Sequence, residues 1–457
     1  THYQLHAIQD SGGFADMGTI LAPFMTRPMS SGVYAIPNIE CRTTSVVTNT
    51  TPIVAYRGAG RPEATAAIER AMDLFALEIG KDAAEVRRMN LIPKFLEPHT
   101  TVVGQTYDVG DYETALDKAL DAADYKALRA EQAKRRASGD AKQLGIGVSV
   151  YVEITGGVGN GESAKVEVLE DGRAVVYTGT SPHGQGHDTA WSMLVQEQTG
   201  IPMDRIELVW GDTDLVPVGT GTMGSRSLQQ GGNAVFQVAG TLAEKAKSVA
   251  ARLLEVSEAD VVLDKDRGAF HVVGTPAVTK TWADLAVAEK STGGLLHDEV
   301  INVSGATFPF GAHIAVVEVD TETGRVKHLR QVACDDAGKV LNPMLLDGQI
   351  HGGIAQGVAQ ALLEEVLYDA DGNPTTSNLA DYGFISAAEL PNVEVIHMET
   401  PTPVNAIGAK GIGESGTIGS TPAIQSAVVD AVSHLGVKHI EMPCTAERVW
   451  RAIQAAQ

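Results

Sequence analysis

At 457 residues, with 44% hydrophobic and 20% charged positions, the chain has material for two or three folded domains and lacks the composition of a disordered one. A formal net charge of −22 with no basic run argues against nucleic acid or an anionic membrane as partner, and makes a small neutral substrate the simpler expectation. Three scattered cysteines (Cys41, Cys334, Cys444) form neither a disulfide framework nor a CxxC metal site and suit a reducing cytoplasm, and no apolar run is long enough to span a membrane.

The chain opens in what reads as a strand already under way, Tyr3 to Ile8, as expected of the C-terminal portion of something longer. Residues 1–56 read as strands and loops, with β-branched stretches at 43–49 and 52–54. Arg57-Gly58-Ala59-Gly60-Arg61-Pro62 then places an arginine in a glycine loop before a helix. Pro62 starts that helix, Ile68, Met72, Phe75, Leu77 and Ile79 give its apolar face, and Gly80 caps it. Guanidinium and free helix N–H groups converge there as they would on an anion or polar cofactor; an arginine closing its loop onto a nearby carboxylate fits equally well. Residues 111–136 read as one charged amphipathic helix and 137–142 as a linker, which predicts a domain boundary there.

Residues 145–154 alternate like a strand, and Glu170-Asp171-Gly172-Arg173 marks a hairpin turn. His183-Gly184-Gln185-Gly186-His187 follows, leading into a helix to about residue 198. The two histidines are four apart, but the glycines between them and the lack of an acidic ligand argue against zinc, and Gln185 is the amide that the loop presents. A second glycine-rich turn, residues 219–227, carries Ser225, Arg226 and Ser227 before a long helix to about residue 256. It suits a phosphate, although serine capping alone explains the local pattern. After a hairpin at 314–319 and 326–333, a helix carries Gln349, Gly352, Gly353, Gln356 and Gly357. Helical glycines cost about 0.8–1 kcal/mol each relative to alanine, so close approach of another backbone or of a cofactor is expected. Residues 409–422 surround Glu414 with glycines, before a helix read from Pro422 to Leu435 and a last one from Thr445. A confined, poorly solvated carboxylate of this kind is expected to have a raised pKa and to act as a base; a solvated glutamate in a turn is the alternative.

The dinucleotide pattern G-x-G-x-x-G occurs at Gly219–Gly224 and Gly411–Gly416, with a near match at Gly159–Ala164. None sits in a convincing parallel βαβ unit, so a nicotinamide-binding reading is set aside.

Taken together and in order, the Arg57 loop, Gly184-Gln185-Gly186, Ser225-Arg226-Ser227, the Gln349–Gly357 helix and the Gly413-Glu414 loop resemble the molybdenum-cofactor-binding large subunit of the xanthine oxidase family of molybdenum hydroxylases. The Arg57 segment is most similar to bacterial carbon monoxide dehydrogenase-like subunits. The resemblance implies an α+β fold of mixed-sheet molybdopterin-binding domains: 1–143 as the C-terminal part of a first cofactor-binding domain with a helical extension, 144–457 as a second.

It further implies molybdenum held by the dithiolene of a molybdopterin cytosine dinucleotide, with no protein ligand to the metal. Glu414 and Gln185 would be catalytic. Arg57, Gly58, Gly184, Gln185, Gly186, His187, Ser225, Arg226, Ser227, Asp336, Gln356, Lys410, Gly411 and Gly413 would bind the cofactor. The implied reaction hydroxylates an electron-poor carbon of an aldehyde or N-heteroaromatic with oxygen from water, passing hydride to a molybdenum sulfido ligand. Electrons would leave to [2Fe–2S] and FAD groups on partner subunits in a dimer of heteromers. The family's N-terminal part, with its GGFG-type loop, is missing from the match, so a partner chain or further segment is expected to complete the site. Copper-containing carbon monoxide dehydrogenases carry Cys where this chain has Gly58, which disfavours CO oxidation; a non-catalytic cofactor-delivery homologue is the other alternative.

Overall fold

The computed structural model describes residues 2–157, 161–303 and 305–456, so Val158, Gly159 and Asn160, with the start of the near match at Gly159, lie outside the described residues. The fold is α+β. At its centre is a four-stranded sheet in the order Val393–Met398, Val326–Asp336, Phe310–Asp320, Lys142–Val152, the first pair parallel and the others antiparallel. Both faces of this sheet are covered, which is why Gln143–Val152 is buried at every position and rich in apolar residues.

On one face Leu144, Ile146, Val148 and Val150 share a core with Ile68 and Met72 of the Arg61–Ile79 helix and with Leu116 and Leu120 of the Tyr112–Ala123 helix. This core joins residues on both sides of position 143. On the other face Ala315, Val317 and Val319 pack against Ile350, Ile354 and Val358 of the Pro343–Leu362 helix and Ala423, Ile424 and Ala427 of the Ser415–Val432 helix. A second sheet, in the order Leu295–Ile301, Glu162–Val168, Ala174–Thr178, Ile206–Val209, is backed by the His187–Thr199 and Asn233–Leu254 helices. Near the N-terminus, Tyr3–Asp10 and Ile39–Val46 pair in parallel.

Three expectations need correction. Residues 111–136 form two helices, Tyr112–Ala123 and Tyr125–Ser138, because Asp124 adopts a left-handed φ of 50° that ends one and starts the next. The helix after Glu414 starts at Ser415 and runs through Pro422. The proline gives up one N–H, while Ser420 and Thr421 bond back to the carbonyls of Gly416 and Thr417. On the first long helix Phe75, Leu77 and Ile79 are exposed, leaving Ile68 and Met72, with Ala64 and Ala76, in the core.

The glycines of the Pro343–Leu362 helix admit a second backbone. A Cβ on Gly353 would lie 3.0 Å from Gly416 Cα and 3.1 Å from Thr417 N, and the Thr417 hydroxyl donates to the Gly353 carbonyl at 2.9 Å. These two helices are thereby clamped together directly behind Glu414.

Candidate active site

The loops before the Arg61–Ile79 and Ser415–Val432 helices, the Gly184 and Ser225 loops, and one face of the Pro343–Leu362 helix enclose a cleft of about 670 Å³. Arg57, Gln356, Gly184, Gln185 and His187 line it, as do Ser225, Arg226, Ser227, Lys410, Gly411, Gly413 and Glu414. Gly58, Gly186 and Asp336 do not. Asp336 is fully buried and paired with Lys410 Nζ at 3.0 Å, with Thr400 Oγ1 also 3.0 Å from that ammonium, so it stands behind the cleft lining instead of in it.

Glu414 is the N-cap of the Ser415–Val432 helix. Its Oε1 accepts from the Gly58 backbone N–H at 2.9 Å; its Oε2 accepts from Arg61 Nη2 at 3.0 Å and Ser225 Oγ at 2.8 Å. Burial pushes its pKa up, but Arg61, the Gly58 N–H, Ser225 and Glu153 outweigh burial and hold it below the ordinary glutamate value. The raised pKa expected from confinement alone is therefore reversed: the carboxylate is largely buried but rich in donors.

Sequence reasoning missed Glu153. It follows the Lys142–Val152 strand and is fully buried, with Oε2 accepting from Ser415 Oγ at 2.5 Å and Oε1 lying 3.0 Å from Ser225 Oγ and 3.4 Å from Arg61 Nη2. Burial first, then the Glu414 charge, raises its pKa to about 8. The available signal was one acid in an apolar run, since a buried carboxyl needs partners.

Arg57 closes its loop onto carbonyl and amide oxygens: Nε donates to Gly413 O at 2.6 Å, Nη1 to Gln356 Oε1 at 2.9 Å and Nη2 to Gln349 O at 3.1 Å. The Arg226 guanidinium is paired with buried Glu162, so it braces the turn from behind; its Nε has no partner. Ser225 sits at a left-handed φ of 54°, held by its bonds to the two glutamates, and Ser227 bonds Thr222 within the loop. His187 is buried, stacked 4.7 Å from Trp191, with Nδ1 on the Thr180 carbonyl at 2.9 Å; burial lowers its pKa and keeps it neutral. The Gln185 side-chain oxygen accepts from the His183 N–H, which fixes the amide at the cleft wall.

Two features suit a large cofactor. Gly184 (φ 98°) and Gly224 (φ 56°) turn bare backbone to open space, where an added Cβ would meet nothing within 4 Å, and the unpartnered Arg226 Nε is a buried donor beside them. Among the described residues, no group of three or more His, Cys, Asp or Glu side chains could hold a metal ion.

Comparison with known proteins identifies the family. Two family profiles, each described as a molybdopterin cofactor-binding domain, match residues 1–91 and 118–391. The chain is 41% identical to the carbon monoxide dehydrogenase large chain of Hydrogenophaga pseudoflava over 93% of its own length and 55% of the relative's. It is 33% identical to the nicotine 6-hydroxylase large subunit of Paenarthrobacter nicotinovorans, over 99% and 58%. The crystal structure of quinoline 2-oxidoreductase from Pseudomonas putida 86 superposes with a TM-score of 0.90 at 33% identity, covering 98% of this chain and 59% of that one. The chain thus spans somewhat over half the length of these relatives.

Proposed function

The chain belongs to the molybdenum-cofactor-binding large subunits of the xanthine oxidase family, and we propose that it carries the base and the cofactor-holding walls of a molybdenum hydroxylase acting on a neutral aldehyde or N-heteroaromatic. The observation that carries this reading is the Glu414 carboxylate, held by three donors at the tip of a buried helix on the edge of the cleft.

Gln185 and Gln356 would orient the cofactor by their amides, and the bare backbone of the Gly184 and Gly224 turns would let it approach closely. The cytosine dinucleotide form is part of the proposal. When bound, the molybdopterin supplies the redox chemistry of the metal. Glu414, anionic at neutral pH, takes up the proton released in the cleft; the apolar packing behind it excludes water. Arg226 and Lys410 are ion-paired with Glu162 and Asp336, which favours an uncharged substrate. Electrons would pass to iron–sulfur and FAD subunits of a cytoplasmic assembly, and a domain division near residue 143 belongs to the same reading.

Oxidation of carbon monoxide is a second reading, favoured by the similarity to the large chain from Hydrogenophaga pseudoflava. Against it stands Gly58, which offers no thiolate. Metal and cofactor analysis of the purified complex, followed by a dye-reduction screen over aldehydes, purines, pyridines and carbon monoxide, tests both. A complex without molybdenum defeats the proposal, and turnover of carbon monoxide with copper stoichiometric to molybdenum selects the second reading.

A further inference from the structure

Glu153 and Glu414 share two partners, atom for atom. Arg61 Nη2 lies 3.4 Å from Glu153 Oε1 and 3.0 Å from Glu414 Oε2; Ser225 Oγ lies 3.0 Å and 2.8 Å from the same two oxygens. A serine hydroxyl has one proton to give. If both carboxyls were ionised, one of the Ser225 contacts would set oxygen against oxygen with nothing between. One guanidinium likewise balances one of the two charges, and an unbalanced buried carboxylate is strongly disfavoured.

A single carboxyl proton removes both conflicts, and the surroundings say where it sits. The Glu153 side chain is wholly buried, whereas Glu414 is 16% exposed and has the extra Gly58 N–H that an anion favours. Glu153 Oε2 already accepts from Ser415, which leaves Oε1 to carry the proton toward Ser225. Arg61 and Glu414 are the charged groups against Glu153, with Arg57 and Tyr151 next outward. Burial and the Glu414 charge push Glu153 up to about 8, in the same direction.

We propose that Glu153 is the neutral positioning partner of Glu414: its proton, donated to Ser225 Oγ, turns the serine hydroxyl onto Glu414 Oε2 and holds that carboxylate anionic and aimed at the cleft. This rests on the reading of Glu414 as the base. Ionisation of Glu153 deprives Ser225 of its donor and sets a second negative charge beside the base, so turnover declines on the alkaline side as Glu153 titrates.

The test measures kcat against pH in the holoenzyme, together with infrared difference spectra in the C=O region of protonated carboxyls, for the parent, Glu153→Gln and Ser225→Ala. The parent is expected to show a protonated-carboxyl band that fades as the pH rises through about 8, and that is missing from Glu153→Gln. In Glu153→Gln, whose amide cannot ionise, the alkaline limb of kcat should move up by about one pH unit or more. Ser225→Ala should keep the band but lower kcat about tenfold, because the link between the carboxyls is cut. No such band, an unmoved alkaline limb in Glu153→Gln, or a parent-like profile in Ser225→Ala would each overturn the assignment. The band is readable whether or not the protein turns over, so its absence is distinct from failure of the base reading, which would show as full activity in Glu414→Gln.

Discussion

Gly58 donates its backbone N–H to Glu414 Oε1 at 2.9 Å, joining loops 356 positions apart in sequence. The geometry favours glycine: φ is +87°, and a Cβ would lie 3.1 Å from both Ile418 Cγ1 and Pro62 Cγ. Gly58→Cys is therefore expected to lower the melting temperature and to bring no oxidation of carbon monoxide. Copper-dependent turnover of that gas by the variant would contradict this.

Replacing Glu414 with Gln keeps the size of the side chain and removes its basicity. Turnover should drop about 10²–10⁴-fold, as for other bases acting in the transition state, while the molybdenum content stays at the parental level. Steady-state kinetics paired with metal analysis reads both, and near-parental kcat would reject the role.

Arg61 is the cation shared by the two buried carboxyls and, after burial itself, the largest influence on Glu414, acting downward. Arg61→Met should raise the Glu414 pKa, moving the acid limb of kcat/KM to higher pH. Removing one partner of a buried pair should also destabilise the fold by about 3–5 kcal/mol. An unchanged acid limb would show that Arg61 does not tune the base.

Stability should respond to pH through the same pair, whose titrations are coupled. Glu153 has its pKa raised from 4.5 to about 8, so its contribution is full below 4.5 and is lost as pH rises toward 8. Glu414 is shifted down, so its contribution is present above 4.5 and lost as pH falls through its folded value. Between about pH 5 and pH 9 the melting temperature of the parent should fall more steeply than that of Glu153→Gln. Parallel curves would count against a buried, neutral Glu153.

Gly357→Ala should destabilise even though alanine favours helices by about 1 kcal/mol. The added methyl would sit 2.9 Å from Thr421 Oγ1 and 3.0 Å from the Thr417 carbonyl, and closer still to Ser420 Oγ. Overpacking of this kind costs about 1–3 kcal/mol, so thermal unfolding should come earlier; a more stable variant would show that the two helices can separate freely.

The sequence made some of this legible. The helix ending at Gly80, the hairpin at Asp171-Gly172 and the apolar strands around Lys142–Val152 follow from local chemistry, and the structure has them. Glu414 stood out because glycines flank it. Glu153 did not, because Arg61, Ser225 and Ser415, the groups that make its burial tolerable, come from three distant segments with no shared periodicity. The break at Asp124 was equally silent, since a single left-handed non-glycine residue leaves the helical pattern of its neighbours intact. For Arg226 the local reading identified the turn but could not foresee Glu162, which lies 64 positions away and pairs with the guanidinium.

Glu414 stands on the end of a helix whose residues are almost all buried, wedged between the central sheet and the glycine notch of a second helix. Elsewhere along the cleft, Gly184 and Gly224 border open space, where an added Cβ would meet nothing within 4 Å. The proton acceptor is thus built on a packed foundation, and the glycine turns offer a guest bare backbone in place of side chains.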